Sequence, residues 1–113
     1  DRLRAAVRFE EQQLVDAARG LEEVVRARQR ELEHAAVRLG FATDGVDAAF
    51  EQARIGRLEF ESGRTTAFEL VRLASDLATA QVRYSQALVR AGTAAAALRE
   101  LTGGVYPRMA GTP

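Results

Sequence analysis

The side chains best suited to chemistry in this sequence are few, and their spacing limits what they can do. Glu31 and His34 spell Glu-x-x-His, half of a di-iron helix motif. Such a centre needs a second copy of the motif and two further glutamates on facing helices, and His34 is the chain's one histidine. The pair is therefore read as part of a solvated helix face, Gln29-Arg30-Glu31-Leu32-Glu33-His34. The carboxylates of Glu10-Glu11 and Glu22-Glu23 are neighbours in sequence, so on a helix they splay by about 100° and do not form an acid/base pair. Their expected use is in helical ion pairs such as Glu22 with Arg26, worth about 0.2–0.5 kcal/mol each. Cysteine is absent, which removes thiolate nucleophiles, thiolate zinc sites and disulfides. The Gly63 segment is no phosphate loop, because neither the required lysine nor a preceding strand is present. The expectation is a chain with no catalytic residue, no metal and no cofactor.

Composition points to what the chain builds instead. Its 113 residues amount to one domain or a piece of one. Sixteen basic residues, all arginine, balance sixteen acidic ones. A net charge of zero argues against a nucleic-acid binder, which needs a basic stripe to track phosphates, and against an acidic solvating tail. The apolar share is ordinary at 47%, but alanine carries much of it and aromatics make up only 6%. Such side chains do not fill a thick core; they suit long helices packed closely through small residues. No apolar run approaches the roughly 18 residues of a membrane span. The start at Asp1, with neither an initiating methionine nor a signal-peptide apolar region, reads as a mature product or an excised segment.

The second half has the clearest period. Leu70, Leu73, Leu77, Ala80, Tyr84, Ala87, Ala91, Ala94, Leu98 and Leu101 alternate spacings of three and four. This is the seam of a left-handed coiled coil, with a period of about 3.5 residues. Arg72, Asp76, Thr79, Arg83, Gln86, Arg90 and Arg99 fall between these positions and form a polar face. Thr65 or Thr66 is the N-cap, and Glu69, three residues after Thr66, completes a capping box. Gly103-Gly104 and then Pro107 mark the stop. Tyr84 and Phe68 are read as core or inter-hairpin packing.

In the first half Leu3, Val7, Leu14, Ala17, Leu21, Val24, Leu32, Ala35 and Leu39 follow the same period, with Glu10 and Arg28 interrupting it. The stretch Gly40-Phe41-Ala42-Thr43-Asp44-Gly45 looks like a break, with Asp44 able to cap a new helix. Yet Leu39, Ala42, Val46, Ala49, Ala53, Gly56 and Phe60 carry the phase through it. One helix over about 3–61 is therefore expected, kinked or frayed at most near Gly40–Gly45. A short turn at 62–65 then leads into a helix over about 66–102, with an irregular tail at 103–113. The fold class is all-α, a long antiparallel helical hairpin whose first helix outruns the second. The apolar stripe of the overhang needs something else to cover it, and without such a cover the isolated chain is expected to self-associate.

Three segments carry a resemblance. Phe60-Glu61-Ser62-Gly63-Arg64-Thr65-Thr66-Ala67-Phe68-Glu69-Leu70-Val71 resembles the turn segment of TolC-like outer-membrane efflux proteins: an aromatic, two residues, glycine, a short polar run, then an acidic residue and two aliphatics. Leu77-x-x-Ala80-Gln81-x-x-Tyr84-x-x-Ala87-Leu88 and Ala96-x-Leu98-x-x-Leu101-Thr102-Gly103 are similar to the segments that follow in that family, and Val105-Tyr106-Pro107 to what trails them. The likeness runs from about Ala53 to Pro107; over 1–52 it is architectural only.

The resemblance implies one hairpin of a subunit that contributes to a trimeric α-barrel in the bacterial periplasm, below an outer-membrane β-barrel absent from this chain. It implies a homotrimer partnered by a periplasmic adaptor protein and an inner-membrane transporter, working as a passive conduit. Carried over position by position, Ser62, Gly63, Arg64, Thr65 and Thr66 match the tip that meets the adaptor. Glu69 matches an acidic position lining the closed aperture. Arg72 stands where a second acidic residue is expected, which speaks against a double carboxylate ring and for ion pairs between neighbouring hairpins. Two alternatives stay open: the α-hairpin of a membrane-fusion (adaptor) protein, echoed loosely by Arg57, Leu58 and Ser62, and a generic coiled-coil interaction module.

Overall fold

The computed structural model describes residues 1–103, in which the chain forms two helices, α1 (Arg2–Glu61) and α2 (Ala67–Thr102), folded back on one another. The unequal all-α hairpin expected from the seam is the fold observed, sixty residues against thirty-six in a rod with a 92 Å long axis and a 13 Å short one. α1 accounts for the long axis by itself, because sixty residues rising 1.5 Å each span about 90 Å. The tail expected beyond Gly103, with Val105, Tyr106 and Pro107, lies outside the described residues.

Both helices begin on a side-chain cap. Asp1 Oδ1 accepts from the Leu3 amide at 3.2 Å, and Thr66 Oγ1 accepts from the Glu69 amide at 3.2 Å. Of the two candidate threonines, Thr66 is therefore the cap of α2. The capping box is only half made. The Glu69 carboxylate turns to the Arg72 guanidinium instead of reaching back to the Thr66 amide, since a charged bidentate partner is stronger than a neutral N–H.

The seam is where the two helices meet. Leu70, Leu73, Leu77, Ala80, Tyr84, Ala87, Ala91, Ala94 and Leu98 of α2 are all buried or half-buried, as are Leu32, Ala35, Leu39, Ala42, Val46, Ala49, Ala53 and Gly56 of α1. Phe60 and Leu101 depart from the expectation. Both are exposed: Phe60 lies where the chain turns away, and Leu101 lies in the last turn of α2. Gly56 marks a close approach: a Cβ there would overlap Leu73 Cδ1. Stepping along both helices from this contact sets Ala53 level with Leu77 and Val46 level with Tyr84. The same steps set Ala49 level with Ala80 and Ala42 level with Ala87, and these small side chains let the axes come close.

α1 runs through Gly40–Gly45 without a break, and Asp44 lies inside it, not at a cap. Each glycine costs about 1 kcal/mol of helix propensity. Leu39, Ala42 and Val46 are packed on α2 across the same stretch, and this anchoring outweighs the cost. Thr43 Oγ1 also donates to the Leu39 carbonyl at 2.8 Å, an i−4 bond that bends helices rather than ending them.

The core is thin. Leu73, Ala87 and Gly56 are the buried residues, and no large side chain is fully enclosed among the described residues. From Arg2 to Val24 every residue of α1 is exposed. Leu3, Val7, Leu14, Leu21 and Val24 hold the apolar spacing there with no α2 opposite them.

Candidate functional site

The turn is built by a backbone motif, not by packing. α1 ends on Ser62, whose Oγ donates to the Glu59 carbonyl at 3.1 Å. The Gly63 amide then donates to the Phe60 carbonyl at 3.0 Å and the Arg64 amide to the Glu59 carbonyl at 2.7 Å. These two bonds are the pair that defines a Schellman motif, which needs a left-handed residue one past the cap. Gly63 supplies it with φ of +74°, the one positive φ among the described residues. Past it Arg64 and Thr65 bridge to the Thr66 cap. Ser62, Gly63, Arg64 and Thr66 are exposed and Thr65 is half-buried, so the five residues expected at the tip do form one solvent-facing end of the rod.

One turn further on, Glu69, Arg72 and Asp76 form a charged ladder along α2. Arg72 Nε donates to Glu69 Oε2 at 3.0 Å and its Nη1 to Asp76 Oδ2 at 3.1 Å. The Arg72 hydrogen bond holds the Glu69 carboxyl below its ordinary range, and the Glu69 partner in turn raises Arg72. Within the chain, then, Arg72 is already satisfied by two carboxylates of its own helix. The resemblance singles out Glu69 and Arg72 for ion pairs between neighbouring hairpins; here they pair within one helix and Asp76 joins them, its spacing of four from Arg72 being the signal that could have included it.

Two further surfaces run along the rod. Phe68, Val71, Val82 and Val89 recur at helical spacing on the side of α2 turned away from α1, and all are exposed, Phe68 by 90%. Phe68 therefore takes no part in the core, while Tyr84 is half-buried on the seam. On one flank of the hairpin lies a groove of about 1170 Å³ with an alanine floor, Ala42, Ala80, Ala87 and Ala94 among it, and arginines along both rims. Of these, Arg38, Arg83 and Arg90 have no carboxylate partner among the described residues, whereas Arg28 is paired with Glu31 at 3.1 Å. In the Glu31–His34 motif the carboxylate thus binds a guanidinium on the same helix. Among the described residues no three metal-ligating side chains come together. Glu22 and Arg26 form the ion pair expected of them, at 2.7 Å.

These arrangements position side chains for contact with other helices. An exposed polar tip lies at one end of the rod, an apolar outer stripe and an arginine-rimmed groove along it, and a bare apolar stripe at the other end. No helix among the described residues is long and apolar enough to cross a membrane. The chain is a helical hairpin suited to protein–protein packing, and no family model, curated protein or solved structure matches it.

Proposed function

We propose that this hairpin is one wall element of a trimeric, TolC-like outer-membrane channel, with its tip directed at a periplasmic adaptor protein. The observation that carries the proposal is that α2 is apolar on two sides. Its inner seam packs on α1, and its outer stripe of Phe68, Val71, Val82 and Val89 is left exposed. A helix with apolar stripes on two sides belongs in a sheet of helices with a neighbour on each side. The turn sequence from Phe60 to Val71 supports the same assignment through its resemblance to that family. In this setting Ser62, Gly63, Arg64, Thr65 and Thr66 meet the adaptor, and the Glu69–Arg72–Asp76 ladder lies beside the aperture. The protein acts as a passive conduit, and an inner-membrane transporter supplies the energy.

The test is made in cells that carry the whole channel. Arg64→Glu and Gly63→Val at the tip are expected to abolish dye efflux while the protein still reaches the outer membrane as a trimer. Wild-type efflux in both variants would remove the docking role. The flanking sequence gives an independent check: a channel subunit carries a second similar hairpin and alternating β segments. Lipoyl-like β flanks would assign the hairpin to an adaptor instead.

A further inference from the structure

The groove on the flank of the hairpin has a lining that neither helix uses. Its alanine floor lies between rims that run from Arg28 to Gly45 of α1 and from Asp76 to Ala97 of α2, a trough about 25–30 Å long at 1.5 Å per residue. The two acidic residues of the lining are already held by arginines, Glu31 by Arg28 and Asp76 by Arg72. Arg38, Arg83 and Arg90 have no carboxylate partner among the described residues. The groove therefore carries three uncompensated positive charges in a chain whose net charge is zero. Phe41 and Val89 also stand on its two rims, level with one another by the same stepping along the helices, and both are exposed.

We infer that this groove seats a third helix, from a partner protein, with apolar residues along its seam and carboxylates on both flanks. The alanine floor lets a third axis come close, and a trough of this length takes about five helical turns. Phe41 and Val89 close over the apolar seam of the incoming helix from either side. The charges match a helix in their spacing. Arg83 and Arg90 are one heptad apart, about 10 Å along the axis, and Arg38 stands close to level with Arg90 on the opposite rim. A helix with two glutamates seven residues apart on one flank and one on the other meets all three, as the flanking ion pairs of a coiled coil do. A single anionic amphiphile would meet one guanidinium and leave the others unmatched. The seat is on the flank of the hairpin, and it does not depend on the channel assignment.

The probe is a fluorescent helical peptide of about three heptads, with Ala and Leu at the seam positions and Glu on both flanks. A matched peptide carries Lys on the flanks. Anisotropy titration of the 113-residue chain at low salt is expected to show one Glu peptide bound per chain. The Lys peptide should bind about tenfold more weakly, the sum of three modest ion pairs. Reversing all three charges, Arg38→Glu with Arg83→Glu and Arg90→Glu, should invert the preference at unchanged helical circular dichroism. The chain has no cysteine, so single cysteines place the peptide. Gln86→Cys in the groove is expected to crosslink to a thiol at the centre of the Glu peptide, and Leu14→Cys on the bare end of α1 is not. Equal affinity for the two peptides overturns the inference, as does a preference for Glu that survives the triple variant. Crosslinking at Leu14→Cys alone overturns it too. Gln86→Cys pairing with its own copy in preference to the peptide would give the groove to a second chain. Displacement of the peptide by phosphatidylglycerol vesicles would give it to an anionic surface, and either result removes the partner helix.

Discussion

Between residues 28 and 61, α1 sets mostly alanine and glycine against α2; between 2 and 24 it sets leucine and valine against nothing in this chain. Both halves have the same period and the same unbroken helix, and both are rich in arginine and glutamate. They differ in the size of the seam residues, which narrows towards the turn and ends at Gly56. Small residues let two helices approach closely, and larger ones hold a partner further off. Period alone therefore fixes which face of a helix is to be covered, while side-chain size carries the information about what covers it. The near half is shaped for α2. The far half is shaped for a wider contact.

The largest effect expected from this difference lies at matched leucines. Leu73 is only 8% exposed and Leu14 is 71% exposed. Leu73→Ala leaves a hole against Gly56 and is expected to cost about 2–5 kcal/mol. Leu14→Ala, measured at a dilution where the chain is monomeric, is expected to stay within about 0.5 kcal/mol. Urea titration followed by helical circular dichroism checks both. Equal losses would mean that the overhang is as well packed as the hairpin.

Gly56→Val tests side-chain size from the opposite direction. The added side chain overlaps Leu73 Cδ1 and forces the helices apart, at a cost of about 1–3 kcal/mol for overpacking. The expected readout is a lower urea midpoint with an unchanged slope, relative to the wild-type chain.

The seam residues that these variants probe were legible in the sequence. Nine positions of α2, from Leu70 to Leu98, and eight of α1, from Leu32 to Gly56, are buried or half-buried where the alternation of three and four puts them. The turn was legible too, because a glycine followed by a threonine cap has few structural solutions. Other features needed the structure. The continuity of α1 through Gly40 and Gly45 depends on packing against α2 from the other end of the chain, which local propensity does not contain. Phe60 and Leu101 fit the spacing yet are exposed, since period says nothing of where the chain turns or where α2 ends. At the tip the five turn residues could be named from their types, but the Glu69 carboxylate's choice of Arg72 over the Thr66 amide could not. That choice is a competition between two hydrogen bonds within reach of one side chain.

Two glycine substitutions extend the comparison to smaller effects. Gly63 holds φ of +74° in the turn, so Gly63→Ala is expected to cost about 1–2 kcal/mol in left-handed strain. At Gly45 a methyl group would meet no atom within 4 Å. Gly45→Ala should therefore raise stability by up to about 1 kcal/mol through helix propensity. Thermal unfolding of the two variants beside the wild type gives both signs in one experiment. A stabilised Gly63→Ala would show that the Schellman turn does not set the hairpin.

The smallest effect is electrostatic and belongs to the covered half. Glu69 is held below its ordinary value of 4.5 by the Arg72 hydrogen bond, and Glu51 is held below it by Arg54. A carboxyl whose folded value is depressed adds stability above its unfolded value and loses that contribution as pH falls through the folded one. Both pairs are open to solvent, so the loss is slight and is screened by salt. The Glu69 pair stands apart in one respect: the carboxylate sits in the first turn of α2, where the helix dipole also favours negative charge. Acid titration from neutral pH to below 4.5 is therefore expected to lower the thermal midpoint of the wild type more than that of Glu69→Gln. The gap should narrow in high salt, where pairing and dipole are both screened. Identical acid profiles for the two chains at low salt would mean that the ladder beside the tip contributes nothing to holding the start of α2. Any role of the ladder at an aperture would then depend on its contacts with neighbouring hairpins alone.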